Sequence, residues 1–471
     1  PFHEEKTPSF KVSASRQVYY CFGCQRSGNL FHFVMAQENL DFTGAVRLMA
    51  QHCGIRIPDS QDRGDEKKSD SRHSDKPDKD QLFQLLQEMC AWYQQQLKDA
   101  AGQEARNYLA NRGLDDEDVI QTFQLGYAPD SWDAAINWAR RQGYSREMLV
   151  QAGMAIRKDS GHCYDRFRGR LMFPIHDELG RVIGFSGRLI GKEDTAAAKY
   201  INTPDTWLFR KNRVLYGLYK ARREFKQHGC ALVCEGQLDV IACHRAGLPY
   251  AVAPQGTAFT DSHARILNRY TDTVVFACDA DAAGLKAAYR SIKVALSNNL
   301  RARVAIMPAG EDPDNILRDK GAGKLQEIAG EPEDAFDFLL RNGKERHSTE
   351  SPEGKTALAK EMLDVLSFIP DTVTRATRCQ WLSKALHLPE DAVFDYLSEK
   401  LKSSKSQQRR STFASSASSS ASGTADSREA GDTAVFEGNE EKTLLDLVLH
   451  FPEISEHLAE RLSSDRISTS E

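Results

Sequence analysis

Cys230-Ala231-Leu232-Val233-Cys234-Glu235-Gly236 and Thr273-Val274-Val275-Phe276-Ala277-Cys278-Asp279-Ala280-Asp281 each pass from an unbroken apolar run directly into carboxylates. Short apolar runs bounded by such residues fit strands buried on both faces of a parallel sheet. A third run, Ala302 to Met307, leads into Glu311-Asp312-Pro313-Asp314. In parallel α/β sheets, ligands collect just beyond the carboxyl ends of the strands, where these acids fall. Alternate residues of an extended segment face the same way, so Asp279 and Asp281 can direct both carboxylates at one point. Hard oxygen donors gathered there suit Mg²⁺ or Mn²⁺, which bind one or two carboxylates and share substrate phosphates. An isolated Asp-x-Asp is more often a turn or a helix N-cap, but three acid-bearing strand ends in succession favour the metal reading.

The order of a strand ending in Glu235 and a later strand ending in Asp279-x-Asp281, with Gly236, Asp239, Gly256 and Gly284, resembles the Toprim domain of primases, topoisomerases and some nucleases. The resemblance covers roughly residues 229–320.

Composition bounds the rest. At 471 residues the chain holds several domains. It starts at Pro1, so we expect the natural N-terminus to lie upstream. No apolar run approaches the ~20 residues a membrane helix needs, and no secretory signal is visible, so the expected location is the cytoplasm. Of ten cysteines, Cys53, Cys90, Cys230, Cys234, Cys243 and Cys278 fall in expected helices or buried strands and read as reduced core residues. The formal net charge is −5, yet residues 157–226 carry 16 Lys and Arg against 8 Asp and Glu. A basic segment before an acidic metal site is what a phosphodiester substrate requires.

That basic segment opens on Arg166-Phe167-Arg168-Gly169-Arg170, where alternation predicts three guanidiniums on one face of a strand, each able to take a phosphate. Arg188, Lys199-Tyr200-Ile201-Asn202, Lys211 and Arg213 follow. Taken in this order they resemble the basic subdomain of bacterial replicative primases, which implies template or triphosphate binding by Arg166, Arg168, Arg188, Lys199, Asn202, Lys211 and Arg213. Asn111-Arg112-Gly113-Leu114 resembles the start of that family's catalytic region, where the Arg of such a turn faces nucleic acid. A lone Arg before a capping Gly is otherwise a solvated charge.

Near the start, Cys21-Phe22-Gly23-Cys24 forms a knuckle whose thiolates can hold Zn²⁺, with His3 as a third ligand. A redox pair would sit between a strand and a helix, which this motif does not. Pro1 to Phe10, Tyr20 to Cys24 and Gly28-Asn29 resemble the zinc-binding domain of bacterial primases. The resemblance implies a Cys just before Pro1 as a further ligand, so one ligand is expected to be missing and zinc binding impaired. Cys53, His32 and His52 are possible substitutes, each expected on a helix. Lys11, Arg16, Tyr19, Tyr20, Phe22 and Arg26 mix cations with rings, which suits single-stranded nucleic acid, while part of the aromatic set is expected to be core.

These readings identify the chain as a member of the bacterial replicative DNA primase (DnaG) family. The expected fold class is multidomain α/β: a zinc-ribbon-like β module (1–57), a flexible linker (58–80), an α+β basic subdomain (81–228), a Toprim parallel-sheet domain (229–320), a helical subdomain (321–401), a Ser-rich linker (402–435) and the start of a helicase-binding domain (436–471). The resemblance implies synthesis of short RNA primers on single-stranded DNA from ribonucleoside triphosphates, with the replicative helicase as partner. Glu235, Asp279 and Asp281 would be catalytic, holding Mg²⁺ or Mn²⁺, with Asp312 and Asp314 supporting a second ion. Glu235 is open as either ligand or general base. A Toprim nuclease or topoisomerase would share the acids, though no segment supplies a topoisomerase's tyrosine domain. A recombination mediator also pairs zinc with Toprim but is shorter. No Gly-x4-Gly-Lys-Ser/Thr loop is present, which argues against a fused helicase motor.

Overall fold

The computed structural model describes residues 2, 8–13, 16–53, 55, 78–191 and 198–402. His3, most of the 58–80 linker and the segments 403–435 and 436–471 lie outside the described residues.

The N-terminal module is a three-stranded antiparallel sheet of β1 (Phe10–Ser13), β2 (Val18–Cys21) and β3 (Ser27–Asn29), followed by helices Leu30–Glu38 and Phe42–Cys53. The aromatic stretch divides by pleat: Tyr19 is buried among Phe2, Phe10 and Phe33, whereas Tyr20 and Phe22 are exposed. Helix Lys79–Lys98 then begins the catalytic region and buries Leu82, Leu85, Leu86, Met89 and Tyr93, the stripe its periodicity predicts.

Against that helix packs a four-stranded antiparallel sheet of β4 (Gly126–Ala128), β7 (Arg170–His176), β8 (Val182–Leu189) and β9 (Tyr200–Asn202). A small hairpin of β5 (Ala155–Arg157) and β6 (Cys163–Asp165) flanks it.

The central sheet runs in the order β10-β12-β11-β13-β14-β15. Four strands are parallel: β11 (Ala231–Val233), β12 (Ala251–Pro254), β13 (Thr273–Cys278) and β14 (Arg301–Ile306). Both edges are antiparallel additions, β10 (Leu215–Tyr216) against β12 and β15 (Glu333–Asp334) against β14. Neither edge strand has a two-residue signature that a periodicity argument could detect, and β12, short and ended by proline, also escaped the sequence reading. The two large sheets meet where Gln237 Nε2 donates to Ser186 Oγ, both side chains being buried.

After residue 334 the chain is helical, with helices Ala335–Arg346, Pro352–Leu366 and Thr372–Leu386 and a last one over residues 390–402. The expected buried cysteines hold at Cys90, Cys234, Cys243 and Cys278, but Cys53 is exposed and Cys230 half-buried, because each lies at the end of its element where the packing stops. No described helix is long and apolar enough to cross a membrane.

Candidate active site

The carboxylates gather at the carboxyl edge of the parallel strands, as their register requires. Glu235 follows β11 and is exposed; Asp279 follows β13 and is half-buried; Asp281 is exposed. Asp281 caps helix Ala282–Ser297 by accepting from Gly284 N at 2.6 Å, and Asp312 caps helix Pro313–Lys320 by accepting from Asn315 N at 2.7 Å. The helix-cap reading of Asp-x-Asp is therefore realised together with the clustering of acids. Such a bond occupies one oxygen of each carboxylate and fixes where the other can point. Gly284 makes the tight first turn possible, since a Cβ there would fall 2.5 Å from the Asp279 carbonyl oxygen.

Electrostatics mark the edge more clearly than distance does. Burial raises the pKa of Glu235, and Asp279, Asp281 and Asp312 push it further. Burial likewise raises Asp279, with Asp281 and Asp312 adding to it. No cation figures among the groups acting on either. Asp239, fully buried behind them, is raised well above the carboxylate range by burial and by Asp312, although Gly236 N donates to it at 2.9 Å. Among the described residues no three candidate ligands close to a preformed coordination shell. The donors nonetheless fit a hard divalent ion: they are oxygens only, they repel one another, and the cation that acts on the set, Arg318, acts at Asp312 and not among the groups shifting Glu235 or Asp279.

Asp314 departs from the expectation of a metal-facing acid. It is 3% exposed and bound to Arg112 Nη1, with Arg318 at 4.0 Å. A carboxylate that deep requires a paired charge, and the guanidinium of the Arg112 turn supplies it. Arg112 is thus an ion-paired side chain and not the solvated charge that a lone Arg before a capping Gly would be. Its guanidinium also lies over the Tyr108 ring, 5.2 Å from the centroid, and Arg188 covers the same tyrosine at 4.8 Å. Arg188 Nη1 donates to Tyr200 Oη at 2.7 Å, so one stacked series leads from the basic sheet to the acid edge.

The three arginines expected on one strand face do not share it. Only Arg170 is within β7, where it is buried and donates to the carbonyls of Gly187, Ala198 and Lys199. Arg166 turns inward, Nε donating to Gly153 O at 2.8 Å, and Arg168 stacks over Trp132 at 4.2 Å from the ring centroid. A turn precedes β7, so the alternation of extended backbone does not apply to Arg166 and Arg168. Lys199 and Arg213 are exposed and Lys211 half-buried. His263 Nε2 donates to Lys211 O at 3.2 Å and Thr260 Oγ1 to Asn212 O at 2.9 Å, tying the 211–213 turn to helix Asp261–Asn268.

In the N-terminal module Cys21 ends β2 and Cys24 closes the turn, with Gln25 N donating to Cys21 O at 2.8 Å. The Ser9 hydroxyl, 3.4 Å from Cys21 Sγ, and the Cys24 backbone N–H lower the thiol pKa to about 7, which favours the metal-binding thiolate. His32 lies on helix Leu30–Glu38, and His52 and Cys53 on helix Phe42–Cys53, as expected of these substitutes. A cavity of about 820 Å³ opens at the opposite edge of the central sheet, by Cys230, Thr273, Arg301 and Arg303, and contains none of the acids. Asp239, Tyr108, Gln237 and Gln255 are the site-adjacent residues sequence reasoning passed over; only Asp239 left a trace there, as part of the Toprim pattern.

Acidic strand ends on a Toprim-like sheet, with a basic antiparallel sheet packed beside them, define a metal-dependent phosphoryl-transfer enzyme. Four family models match in series: the CHC2 zinc finger over residues 1–65, the DNA primase catalytic core N-terminal domain over 92–222, Toprim-like over 232–317 and the DnaB-helicase binding domain of primase over 336–391. The DNA primase of Salmonella typhimurium is 36% identical over 400 residues, covering 84% of this chain and 67% of the relative. That of Deinococcus radiodurans is 37% identical over 411 residues, with 85% and 67% covered. A solved primase catalytic domain bound to single-stranded DNA is 36% identical with a TM-score of 0.60, matching 67% of this chain and 98% of that one. The Aquifex aeolicus primase, with zinc-binding and RNA polymerase domains, is 29% identical with a TM-score of 0.60 over 83% of this chain and 90% of that one. The chain belongs to the bacterial DNA primase (DnaG) family, and its enzyme activity is that of a DNA primase.

Proposed function

We propose that this chain synthesises short RNA primers on single-stranded DNA from ribonucleoside triphosphates, with its chemistry at the edge formed by Glu235, Asp279 and Asp281. One observation carries the assignment of the edge: acids that follow separate parallel strands converge at its carboxyl end, where desolvation and then the neighbouring aspartates raise the pKa of Glu235 and of Asp279. Asp279 and Asp281 would hold one Mg²⁺ or Mn²⁺ and Asp312 would contribute to a second, while Glu235 serves as ligand or general base. When bound, such ions activate an attacking 3′-hydroxyl and neutralise the departing pyrophosphate. The protein's own part is positional. Asp281 and Asp312 are held by the helix turns they cap, and Asp239 stays buried behind Glu235 as a like charge or a neutral acid. Arg188, Lys199, Asn202, Lys211 and Arg213 would draw template and triphosphate toward that edge, with Arg166 and Arg168 beside β7 adding to the field. Arg112 would act by holding Asp314.

One zinc would be bound by Cys21, Cys24 and His3, with exposed Tyr20 and Phe22 presenting rings to unpaired bases. We take residues 1–57 as the zinc module, 81–228 as the basic subdomain, 229–320 as Toprim and 321–401 as the helical subdomain. The replicative helicase is the partner, with residues 336–391, over which the helicase-binding family model matches, taken as the docking region in place of the expected 436–471, and the setting is the bacterial cytoplasm.

The test is ribonucleotide incorporation on single-stranded DNA with Mg²⁺ or Mn²⁺. Asp279→Asn is expected to reduce it at least a hundredfold with the fold intact by circular dichroism. Retention of wild-type synthesis would remove the edge from the mechanism. In the same assay Lys199→Ala is expected to weaken template or nucleotide binding several-fold, and the loss should shrink as salt is raised.

A further inference from the structure

Where the carboxyl end of β12 leaves the sheet, Gln255 is 1% exposed, and neither its Oε1 nor its Nε2 has a hydrogen-bond partner. Each polar group left unpaired in this way is desolvated without a compensating hydrogen bond. A second orphan adjoins it. Asn202 Oδ1 is buried without a partner, and a Cβ on Gly256 would come within 2.5 Å of Asn202 Nδ2.

The register explains why these groups matter. Val233 of β11 is opposite Val252 of β12 and Cys234 N donates to Val252 O at 2.8 Å, so β12 ends, just before Gln255, at the same carboxyl edge from which Glu235 follows β11. On its other side Leu215 is opposite Pro254, which sets Gln255 beside the Lys211–Arg213 turn. The orphaned amide therefore follows β12 at the carboxyl end of the sheet, on the side of the Lys211–Arg213 turn, and on the proposed reading a nucleotide reaching from those cations to the carboxylates carries its sugar past it.

We infer that Gln255, with Asn202 beside it, is a specificity-determining contact for the ribose hydroxyls of the incoming nucleotide. The inference rests on the reading of the carboxylate edge as the nucleotidyl-transfer site. An amide offers both donor and acceptor, and a hydroxyl both accepts and donates. A base edge is the wrong match: copying a template requires all four bases, their edges present different patterns, and a buried amide fitted to one would bar others. The triphosphate calls for charge, which an amide lacks. Sugar hydroxyls are the polar groups common to all four ribonucleotides, and the 2′-hydroxyl separates an RNA precursor from a DNA precursor. A site whose polar groups go unpaired when a hydroxyl is missing rejects the analogue. Contact requires the amide to turn about its side-chain torsions from beneath exposed Gly256, an ordinary rotamer change.

The test measures kcat/KM for a ribonucleotide and for its 2′-deoxy counterpart, using the full chain on single-stranded DNA, in wild type, Gln255→Leu and Gln255→Met. Thermal unfolding is followed alongside. The ratio of ribo to deoxy efficiency is expected to fall about tenfold, equivalent to the ~1.4 kcal/mol of one net hydrogen bond. The melting temperature should hold or rise, since an apolar side chain replaces an orphaned amide. The unbranched methionine covers the case in which leucine packs badly. A ratio within twofold of wild type overturns the inference, and if the melting temperature also falls, the amide is a structural group, such as the partner of a buried water. Asp279→Asn in the same assay separates the two readings. If it keeps wild-type incorporation, the carboxylate-edge reading fails and the inference falls with it; if it is inactive while the Gln255 ratio is unchanged, only the inference is lost.

Discussion

Arg112 and Asp314 show what burial does to a single charge. Asp314 has almost no exposure, and burial raises its pKa while Arg112 opposes the rise. Removing one partner of such a pair leaves the other desolvated without compensation, at a cost of about 3 kcal/mol. Arg112→Ala is therefore expected to lower stability by about that amount in urea denaturation, whereas Lys199→Ala, at an exposed position, should leave the midpoint unchanged. Arg170 belongs with Arg112 in this respect: its guanidinium is satisfied by three backbone carbonyls, and that demand could not be read from an alternating Arg-x-Arg-x-Arg. Residue type announced positive charge in both cases, and the tertiary neighbours, a buried carboxylate for Arg112 and backbone carbonyls for Arg170, decided where that charge is used.

At the level of elements, three histidines stand at the ends or faces of packed helices and strands. Burial lowers His176, His244 and His263 to about 4. His263 is tied at both nitrogens, Nδ1 accepting from Thr260 N at 3.2 Å and Nε2 donating to Lys211 O, so protonation breaks the cap of helix Asp261–Asn268. Their folded pKa values lie below the unfolded value of 6.5, so the unfolded chain takes up protons first. This contribution to stability is complete above about pH 6.5 and is lost as pH falls toward about 4. His244→Gln keeps a donor toward Ala251 O and should remove one proton from that dependence, about 1.4 kcal/mol per pH unit, in urea midpoints compared at pH 7 and 5. The apolar runs behind Glu235 and Asp279 were legible as buried strands because every residue in them is apolar. The edge strands β10 and β15 were not, since two residues carry no period and owe their extended form to the neighbour they pair with.

Over the whole molecule, contacts centred on the Glu38 carboxylate fasten the N-terminal module to the central region. Glu38 binds Arg223 and, at 3.0 Å, Arg222 Nη2; Arg222 Nε donates to Glu38 O at 3.0 Å, and Asn39 Nδ2 donates to Arg222 O at 2.7 Å. Arg269, 3.5 Å from Asp41 and 2.5 Å from Glu178, extends the contact. Arg222 is 4% exposed, so loss of its partner is costly in place and favours separation of the module. Glu38→Ala is expected to raise hydrogen exchange across helix Leu30–Glu38 and around Arg222 without altering exchange in β11 to β14, and unchanged exchange would show the contact to be dispensable.

The amino-acid order alone determined β11, β13 and β14 as buried strands and the acids that follow them, because apolar runs and the residues that end them are local properties of a chain. Tertiary structure decided which charges are spent inside the protein, which strands close the sheet, and that both polar atoms of Gln255 and Oδ1 of Asn202 are buried without a hydrogen-bond partner. Those outcomes depend on desolvation and on neighbours far away in sequence, and neither is encoded in the spacing of residues along a strand.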